Sequence, residues 1–148
     1  MIKQIKIKYH KNVKEENKLK KLSVGDWIDL RTLNDVDFIE GEAKLLNLGV
    51  AMELPEGYEA LVIPRSSLFK KTGLMMANSV GLIDGSYCGD NDYWHFPAYA
   101  TSNTHIPAGT RIAQFRIIKH QPTLQLIEVE MLNNADRGGF GSTDKRYN

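Results

Sequence analysis

The sequence predicts an all-β fold with one short helix, and three observations support this prediction. Glycine and proline, 12 and 5 residues in a chain of 148, occur at short intervals, as turns between many strands require. The apolar runs between them are short, several alternate with polar residues, and none is repeated along the chain. Only residues 66–73 carry helix signals.

The first predicted strand, residues 2–9, alternates lysine with isoleucine, a pattern typical of an edge strand whose outer face repels other edges. Pro55 and Gly57 separate two later apolar runs and favour a tight turn, so residues 46–63 are predicted to form a hairpin. The apolar runs after the first strand predict further strands at residues 27–30, 43–54, 58–63, 80–83, 95–100, 110–118 and 124–129.

The predicted helix has a signal at each end. Ser66 or Ser67 can cap its N-terminus, Lys70 and Lys71 suit the negative end of its dipole, and Gly73 can terminate it. The stretch is long enough for one or two turns only.

Composition narrows the class of protein. With 42% hydrophobic and 25% charged residues, the chain fits one compact domain rather than a disordered or fibrous protein. No apolar stretch approaches the roughly 18 residues of a membrane span, so no membrane partner and a cytoplasmic location are expected. The single cysteine, Cys88, excludes an intrachain disulfide and a cysteine-based zinc site.

The N-terminal 21 residues carry eight lysines against two glutamates. Arginine is absent from this stretch and aromatic residues are limited to Tyr9, so a solvated edge strand is favoured and nucleic acid is not expected as a partner. A small β-barrel that binds single-stranded nucleic acid is the lowest-ranked alternative.

Two segments could carry chemistry. Arg65, Ser66 and Ser67 lie where a strand runs into the helix and would suit an anion, although a capped helix with a surface arginine explains them equally well. Asp84 ends an apolar strand and could act as a general base. Taken alone, it is better explained as a turn residue that caps its own backbone.

The C-terminal residues 133–148 are polar and rich in glycine, so we expect one domain, residues 1–132, followed by a flexible arm, residues 133–148. The guanidinium of Arg137, the exposed glycine backbone and two hydroxyls would suit a phosphate. This arm is predicted to become ordered over a bound ligand, with Phe140 covering an aromatic base.

Five segments, at residues 26–30, 64–68, 78–90, 109–114 and 137–143, resemble in order the five motifs of the homotrimeric deoxyuridine triphosphatases (dUTPases). The resemblance covers residues 25–143, and five short motifs in a fixed order are highly specific. Residues 49–58 and 89–94 further resemble the branch found in Gram-positive bacteria and their phages.

The resemblance implies a β-clip fold, which is a distorted jelly-roll barrel, and hydrolysis of dUTP to dUMP and pyrophosphate by a homotrimer with shared active sites and Mg²⁺. Asp84 would be the base and Asp29 would reach magnesium indirectly, through water. Asn78 would read the uracil, and Tyr87 would stack under deoxyribose and exclude a 2′-hydroxyl. The implied substrate-binding residues are Arg65, Ser66, Ser67, Asn78, Gly81, Ile83, Tyr87, Gln114, Arg137, Phe140, Gly141, Ser142 and Thr143.

The sequence departs from the family in its shortened fifth motif, in Ser86 where an acidic residue is usual, and in the segment that follows Gly89. In that segment Trp94 and Phe96 are alternatives to Phe140 as the group that covers the base, although aromatic packing at the trimer interface explains them at least as well. A related deoxycytidine triphosphate deaminase is a rival reading, but it requires a catalytic glutamate, and no glutamate lies between Glu59 and Glu128. A phage-type dUTPase that also binds a regulatory protein is the other alternative.

Overall fold

The computed structural model describes residues 1–143. In that range the 3₁₀ turn Glu15–Asn17 and the helix α1 (Leu68–Thr72) accompany the strands β1 (Lys6–Tyr9), β2 (Ile28–Arg31), β3 (Val36–Phe38), β4 (Ala43–Asn47), β5 (Val50–Glu53), β6 (Tyr58–Pro64), β7 (Leu74–Met76), β8 (Gly81–Ile83), β9 (His95–Ala100), β10 (Thr104–Ile106) and β11 (Arg111–Lys119). No helix within residues 1–143 is long and apolar enough to cross a membrane.

Every strand pairing in the described range is antiparallel, and the strands form four sheets. Their orders are β1–β5, β3–β10, β2–β11–β6–β8 and β4–β9–β7. The predicted all-β class with one short helix is confirmed, although the sheets do not close into a single barrel.

The sheets enclose one hydrophobic core, built from side chains such as Trp94, Phe96 and Phe115, each at most 1% exposed. The rings of Trp94 and Phe115 meet edge to face with centroids 5.2 Å apart, the arrangement that aromatic quadrupoles favour. This core fixes the strands whose ends carry the candidate site.

The predicted hairpin is wrong. The tight turn is present, with the Tyr58 N–H donating to the Pro55 carbonyl at 3.2 Å, but β5 pairs with β1, whereas β6 pairs with β11 and β8. The turn therefore connects two sheets. The predicted strand at 43–54 is two strands, because Gly49 takes a φ of +71°, which glycine adopts without strain.

The helix and the final strand also differ from prediction. Gly73 ends α1 as expected, with a φ of +70° and its N–H bonded to the Phe69 carbonyl at 2.8 Å. Ser67 is the N-cap residue but makes no side-chain capping bond. Residues 124–129 form no strand in this chain.

Sheet order positions the candidate site. Strand β11 lies between β2 and β6, so residues from three separate motifs become neighbours across adjacent strands. Strand β8 is the outer strand of the same sheet, and its far edge therefore keeps backbone groups that no strand of this chain pairs within the described range.

Candidate functional site

One half of the candidate site is an ion-pair cluster at the end of β6. The Nε of Arg65 lies 3.0 Å from Oδ1 of Asp29, and both side chains are about a quarter exposed, at 28% and 26%. Gln114 lies opposite Asp29 in the β2–β11 register, and its Nε2 donates to the Pro64 carbonyl at 3.3 Å. The sheet thus brings together three of the predicted site residues.

A second arginine joins this cluster. The register between β11 and β2 shifts between Arg111 and Ala113, which is a β-bulge, a feature that redirects a side chain. Arg111 is consequently half-exposed, and its Nη1 lies 3.4 Å from Oδ2 of Asp29. Two guanidinium groups facing one carboxylate leave a net positive charge, which suits a polyanion.

Arg65 and Ser66 line an open cavity of about 380 Å³, together with Phe69, Met75 and Ser79. Because the Ser67 hydroxyl makes no capping bond, it remains available to a ligand. The cluster and this cavity are the candidate anion-binding region of the site, at one end of the β-sheet.

The other half of the candidate site follows β7. Ser79 has a φ of +63°, a strained conformation for a non-glycine residue, and the turn through Asn78 and Val80 leads directly into β8. Gly81 and Ile83 lie on this outer strand and pair with β6 on one side only. An adjacent planar ligand could therefore hydrogen-bond to the strand edge as another strand would.

Asp84 follows β8 and is exposed. Its Oδ1 accepts a 2.8 Å hydrogen bond from the Ser86 N–H. Hydrogen bonds from the Ser86 side chain and backbone, in that order, lower the pKa of the Asp84 carboxyl below its ordinary value, and His120 contributes in the same direction. Asp84 is therefore ionised at neutral pH, as a general base must be. It lines a cavity of about 280 Å³ with Tyr58, Gly85 and His120.

Asp84 lies far from Arg65 in one chain, although Ser79, at the start of the second half, lines the same cavity as Arg65. Ile83 pairs with Ala60, whereas Arg65 follows the opposite end of β6. The offset from Ala60 to Arg65 corresponds to roughly 16 Å of strand at about 3.3 Å per residue. Asp84 and Arg65 also line different cavities. One chain therefore does not bring Asp84 to its own Arg65 cluster.

The fifth motif lies apart from both halves. Residues 137–143 carry Arg137, Phe140, Gly141, Ser142 and Thr143, all exposed. They form a turn in which the Ser142 N–H donates to the Gly139 carbonyl at 3.1 Å. Residues 144–148 of the predicted arm lie outside the described residues.

The alternative of Trp94 or Phe96 as the base-covering group is excluded. These side chains are 1% and 0% exposed, because both belong to the core beneath β9. Phe140 is fully exposed and stays the predicted covering group.

Two residues that lie beside the predicted site residues were not predicted from the sequence. Arg111 lies within the fourth motif, but its contact with Asp29 depends on a bulge. His120 reaches the Asp84 cavity because β11 pairs with β6 as far as its last residue, Lys119, which lies opposite Tyr58. No signal in the sequence alone marks either contact.

A family model described as dUTPase matches residues 10–144 of the chain. A dUTP nucleotidohydrolase derived from the SPβ prophage of Bacillus subtilis is 57% identical over 140 residues, which is 95% of this chain and 97% of the relative. A dUTPase of Hydrogenobaculum is 40% identical over 121 residues, covering 78% of this chain and 81% of the relative.

Solved structures show the same fold. A variant of the dUTPase of phage 80alpha superimposes with a TM-score of 0.77 at 23% identity, covering 96% of this chain and 99% of that one. A variant of the dUTPase of Staphylococcus aureus phage phi11, whose structure describes the coordination of a structural Mg(II) ion, gives a TM-score of 0.73 at 19% identity, covering 87% and 98%. The five ordered motifs, the fold and a family match over nearly the whole chain agree: the chain belongs to the dUTPase family.

Proposed function

We propose that this chain hydrolyses dUTP to dUMP and pyrophosphate as a homotrimer, with Asp84 as the general base. The observation that carries the proposal is the end of β8, where an ionised, exposed carboxylate follows a strand whose outer edge is open. In a cell this reaction would limit uracil incorporation into DNA and supply dUMP for dTMP synthesis.

The anion-binding cluster would hold the triphosphate. Arg65 offers a planar guanidinium that matches phosphate oxygens, and Asp29 fixes its orientation through the 3.0 Å contact. Ser66, Ser67 and Gln114 would add neutral donors. These groups act by positioning the phosphates and stabilising their charge, which is most of what phosphoryl-transfer catalysis requires.

The donor set fits a magnesium ion held mainly by the substrate. No group of three or more histidine, cysteine or acidic side chains among residues 1–143 is arranged to hold a metal ion, and both oxygens of Asp29 already face arginines. Mg²⁺ commonly uses one or two carboxylates, substrate phosphates and several waters. Asp29 would therefore hold the ion through water. When bound, magnesium neutralises triphosphate charge and so makes the α-phosphorus easier to attack.

Asp84 would accept the proton of a water as its oxygen attacks the α-phosphorus. The new bond joins that oxygen to the α-phosphorus, the bond from the α-phosphorus to the bridging oxygen breaks, and pyrophosphate leaves with the electron pair. The lowered pKa keeps the Asp84 carboxyl ionised before each turnover.

The same loop would select the substrate. The outer edge of β8, at Gly81 and Ile83, offers backbone groups for the uracil edge, and the Asn78 side chain would complete that recognition. Tyr87 is 39% exposed, and its ring would stack under the deoxyribose, where it leaves no room for a 2′-hydroxyl.

Two observations support the homotrimer. The roughly 16 Å offset along β6 separates Asp84 from Arg65, so a second chain would supply Asp84 to the Arg65 cluster. Large apolar side chains between residues 124 and 132 are also exposed by 54–93% in the single chain: Leu124, Leu126, Ile127, Val129, Met131 and Leu132. Burial of such side chains between subunits would be strongly favourable.

The arm, residues 133–148, of a third subunit would close over the substrate, which is bound between the 1–132 domains of the other two subunits. Arg137, Gly141, Ser142 and Thr143 would contact the γ-phosphate, and Phe140 would lie across the uracil. This arrangement places exposed glycine backbone N–H groups where charge must be neutralised.

The test is release of pyrophosphate and ammonia from dUTP, dCTP, dTTP and UTP, with and without magnesium, by the wild type and Asp84→Asn. We expect magnesium-dependent pyrophosphate from dUTP alone, reduced about 10²–10⁴-fold by Asp84→Asn. Ammonia from dCTP would establish the deaminase instead. No turnover of any nucleotide would favour a regulatory protein-binding module.

A further inference from the structure

The loop that follows Asp84, residues 85–94, is fixed at both ends. At its start the Tyr87 N–H donates to the Asp84 carbonyl at 3.0 Å. At its end Trp94 is buried, its N–H donates to the Val50 carbonyl at 2.8 Å, and its carbonyl accepts from the Leu48 N–H at 2.9 Å. The loop therefore connects the site directly to the core.

A hydrogen bond across this loop sets the position of the Tyr87 ring. The Tyr87 hydroxyl donates to the Tyr93 carbonyl at 3.0 Å. The Tyr87 residue is 39% exposed, and the hydroxyl at the tip of its ring has this defined hydrogen-bond partner. The angle of the ring therefore depends on where the Tyr93 carbonyl lies.

The Tyr93 carbonyl has a second contact, with the His95 imidazole. Nδ1 of His95 lies 2.7 Å from this oxygen. A carbonyl oxygen has two lone pairs and no proton to donate, so it can accept from both side chains and the His95 proton must be on Nδ1. Protonation of Nε2 would leave that donor in place, which makes the contact independent of the charge of His95.

Lys8 of β1 and His10, which follows that strand, also contact this loop. The His10 ring meets the Tyr93 ring edge to face, with centroids 5.3 Å apart and an interplanar angle of 64°. The Lys8 Nζ donates to the Asp90 carbonyl at 2.8 Å. Tyr93 is thus held through its ring by His10 and through its carbonyl by His95.

We propose that His95 is a positioning residue for Tyr87, acting through the backbone carbonyl of Tyr93, and that it thereby sets discrimination between deoxyribose and ribose. This inference rests on the proposed role of Tyr87 at the sugar. Removal of the His95 donor frees the Tyr93 carbonyl to move, the Tyr87 ring then loses its fixed angle, and the space it denies to a 2′-hydroxyl becomes less well defined.

The test compares His95→Phe with His95→Asn, because the amide N–H of asparagine can occupy the position of the imidazole Nδ1–H. We expect His95→Phe to lower the ratio of kcat/KM for dUTP to that for UTP by about three- to tenfold, the range that one neutral hydrogen bond supports. The change should come from KM, with kcat for dUTP retained. His95→Asn should keep the wild-type ratio, and Tyr87→Phe, which removes the other donor to the same carbonyl, should reproduce the loss.

Amide hydrogen exchange of residues 85–93 without nucleotide gives a readout that needs no turnover. It should be faster in His95→Phe and unchanged in His95→Asn. An unchanged ratio and unchanged exchange in His95→Phe, or equal losses in the two His95 variants, would overturn the proposal. If the wild type does not hydrolyse dUTP, the proposed function fails, and the exchange comparison still decides whether His95 positions the loop.

Discussion

The Oδ1 of Asp29 lies 3.0 Å from the Nε of Arg65, although 36 positions separate the two residues in the sequence. The contact forms because β11 pairs with β2 on one side and β6 on the other. The Asp29 carboxylate therefore orients the Arg65 guanidinium, which we propose binds the triphosphate. It also partly neutralises the charge of Arg111.

The first prediction concerns this pair. Asp29→Asn should lower the free energy of unfolding by about 1 kcal/mol, since a charge-assisted but partly exposed contact is lost. It should raise the KM for dUTP about tenfold, because Arg65 is no longer held. Urea denaturation and initial rates measure the two effects.

Asp26→Asn is the matched control. Asp26 lies 3.9 Å from Arg116 and its side chain is 79% exposed, so its loss should change stability by less than about 0.5 kcal/mol and leave the KM unaltered. Equal effects of the two substitutions would refute the assigned role of Asp29.

The second prediction concerns the pH profile. A base is lost as the pH falls through its pKa, and the Ser86 hydrogen bonds lower the pKa of the Asp84 carboxyl. Ser86→Ala removes the side-chain bond and should raise that pKa. The acidic limb of the kcat/KM profile should therefore move to higher pH.

Ser86→Thr retains the hydroxyl and should keep the wild-type limb. Superimposable acidic limbs in the wild type and Ser86→Ala would show that another group titrates. The measurement is kcat/KM for dUTP as a function of pH, from acidic to neutral pH, at constant ionic strength.

The third prediction concerns assembly. Leu126 is 93% exposed in the single chain, and Leu126→Asp would place a charge where we propose that subunits meet. Sedimentation should show a shift from trimer toward monomer, and activity should fall at least about 100-fold, since under the proposal the base and the phosphate-binding groups of each site come from different chains. Gln125→Asp introduces the same charge at the adjacent residue and should preserve the trimer; monomerisation by Gln125→Asp alone would contradict the proposal.

The fourth prediction separates core from site. Trp94→Ala should destabilise the protein by about 3–5 kcal/mol, the usual result for a buried aromatic, with unfolding measured at fixed protein concentration. Phe140→Ala should leave stability unchanged and raise the KM for dUTP. A stable Trp94→Ala protein with a raised KM would restore Trp94 as the group that covers the base.

Short strands and long-range contacts limited what the sequence could predict. Residues 95–100 were predicted as the strand that the structure contains, because apolar residues there face the core at alternate positions. The strand β7 was missed because it spans Leu74–Met76 only and follows the helix-ending Gly73 directly. A run of three apolar residues carries too little periodicity to be assigned.

In the candidate site, too, residues close in sequence could be predicted, whereas contacts between distant segments could not. Asp84 and Tyr87 belong to one continuous segment, so local sequence could place them together. The contact of Arg111 with Asp29 depends on a bulge in β11, and that of His95 with Tyr93 on the path of a loop. Such geometry arises from the packed sheets and leaves no local signature.

The open edge of β8 makes one half of the site more tolerant of amino-acid substitution than the other. Its hydrogen-bonding groups belong to the peptide backbone, so a codon change at Leu82 or Ile83 to any residue except proline leaves them intact. The proposed phosphate contacts depend on the side chains of Arg65 and Gln114, which one codon change can remove. The backbone part of base recognition would therefore tolerate substitution better than the phosphate contacts or the Asn78 contact, each of which needs a particular side chain.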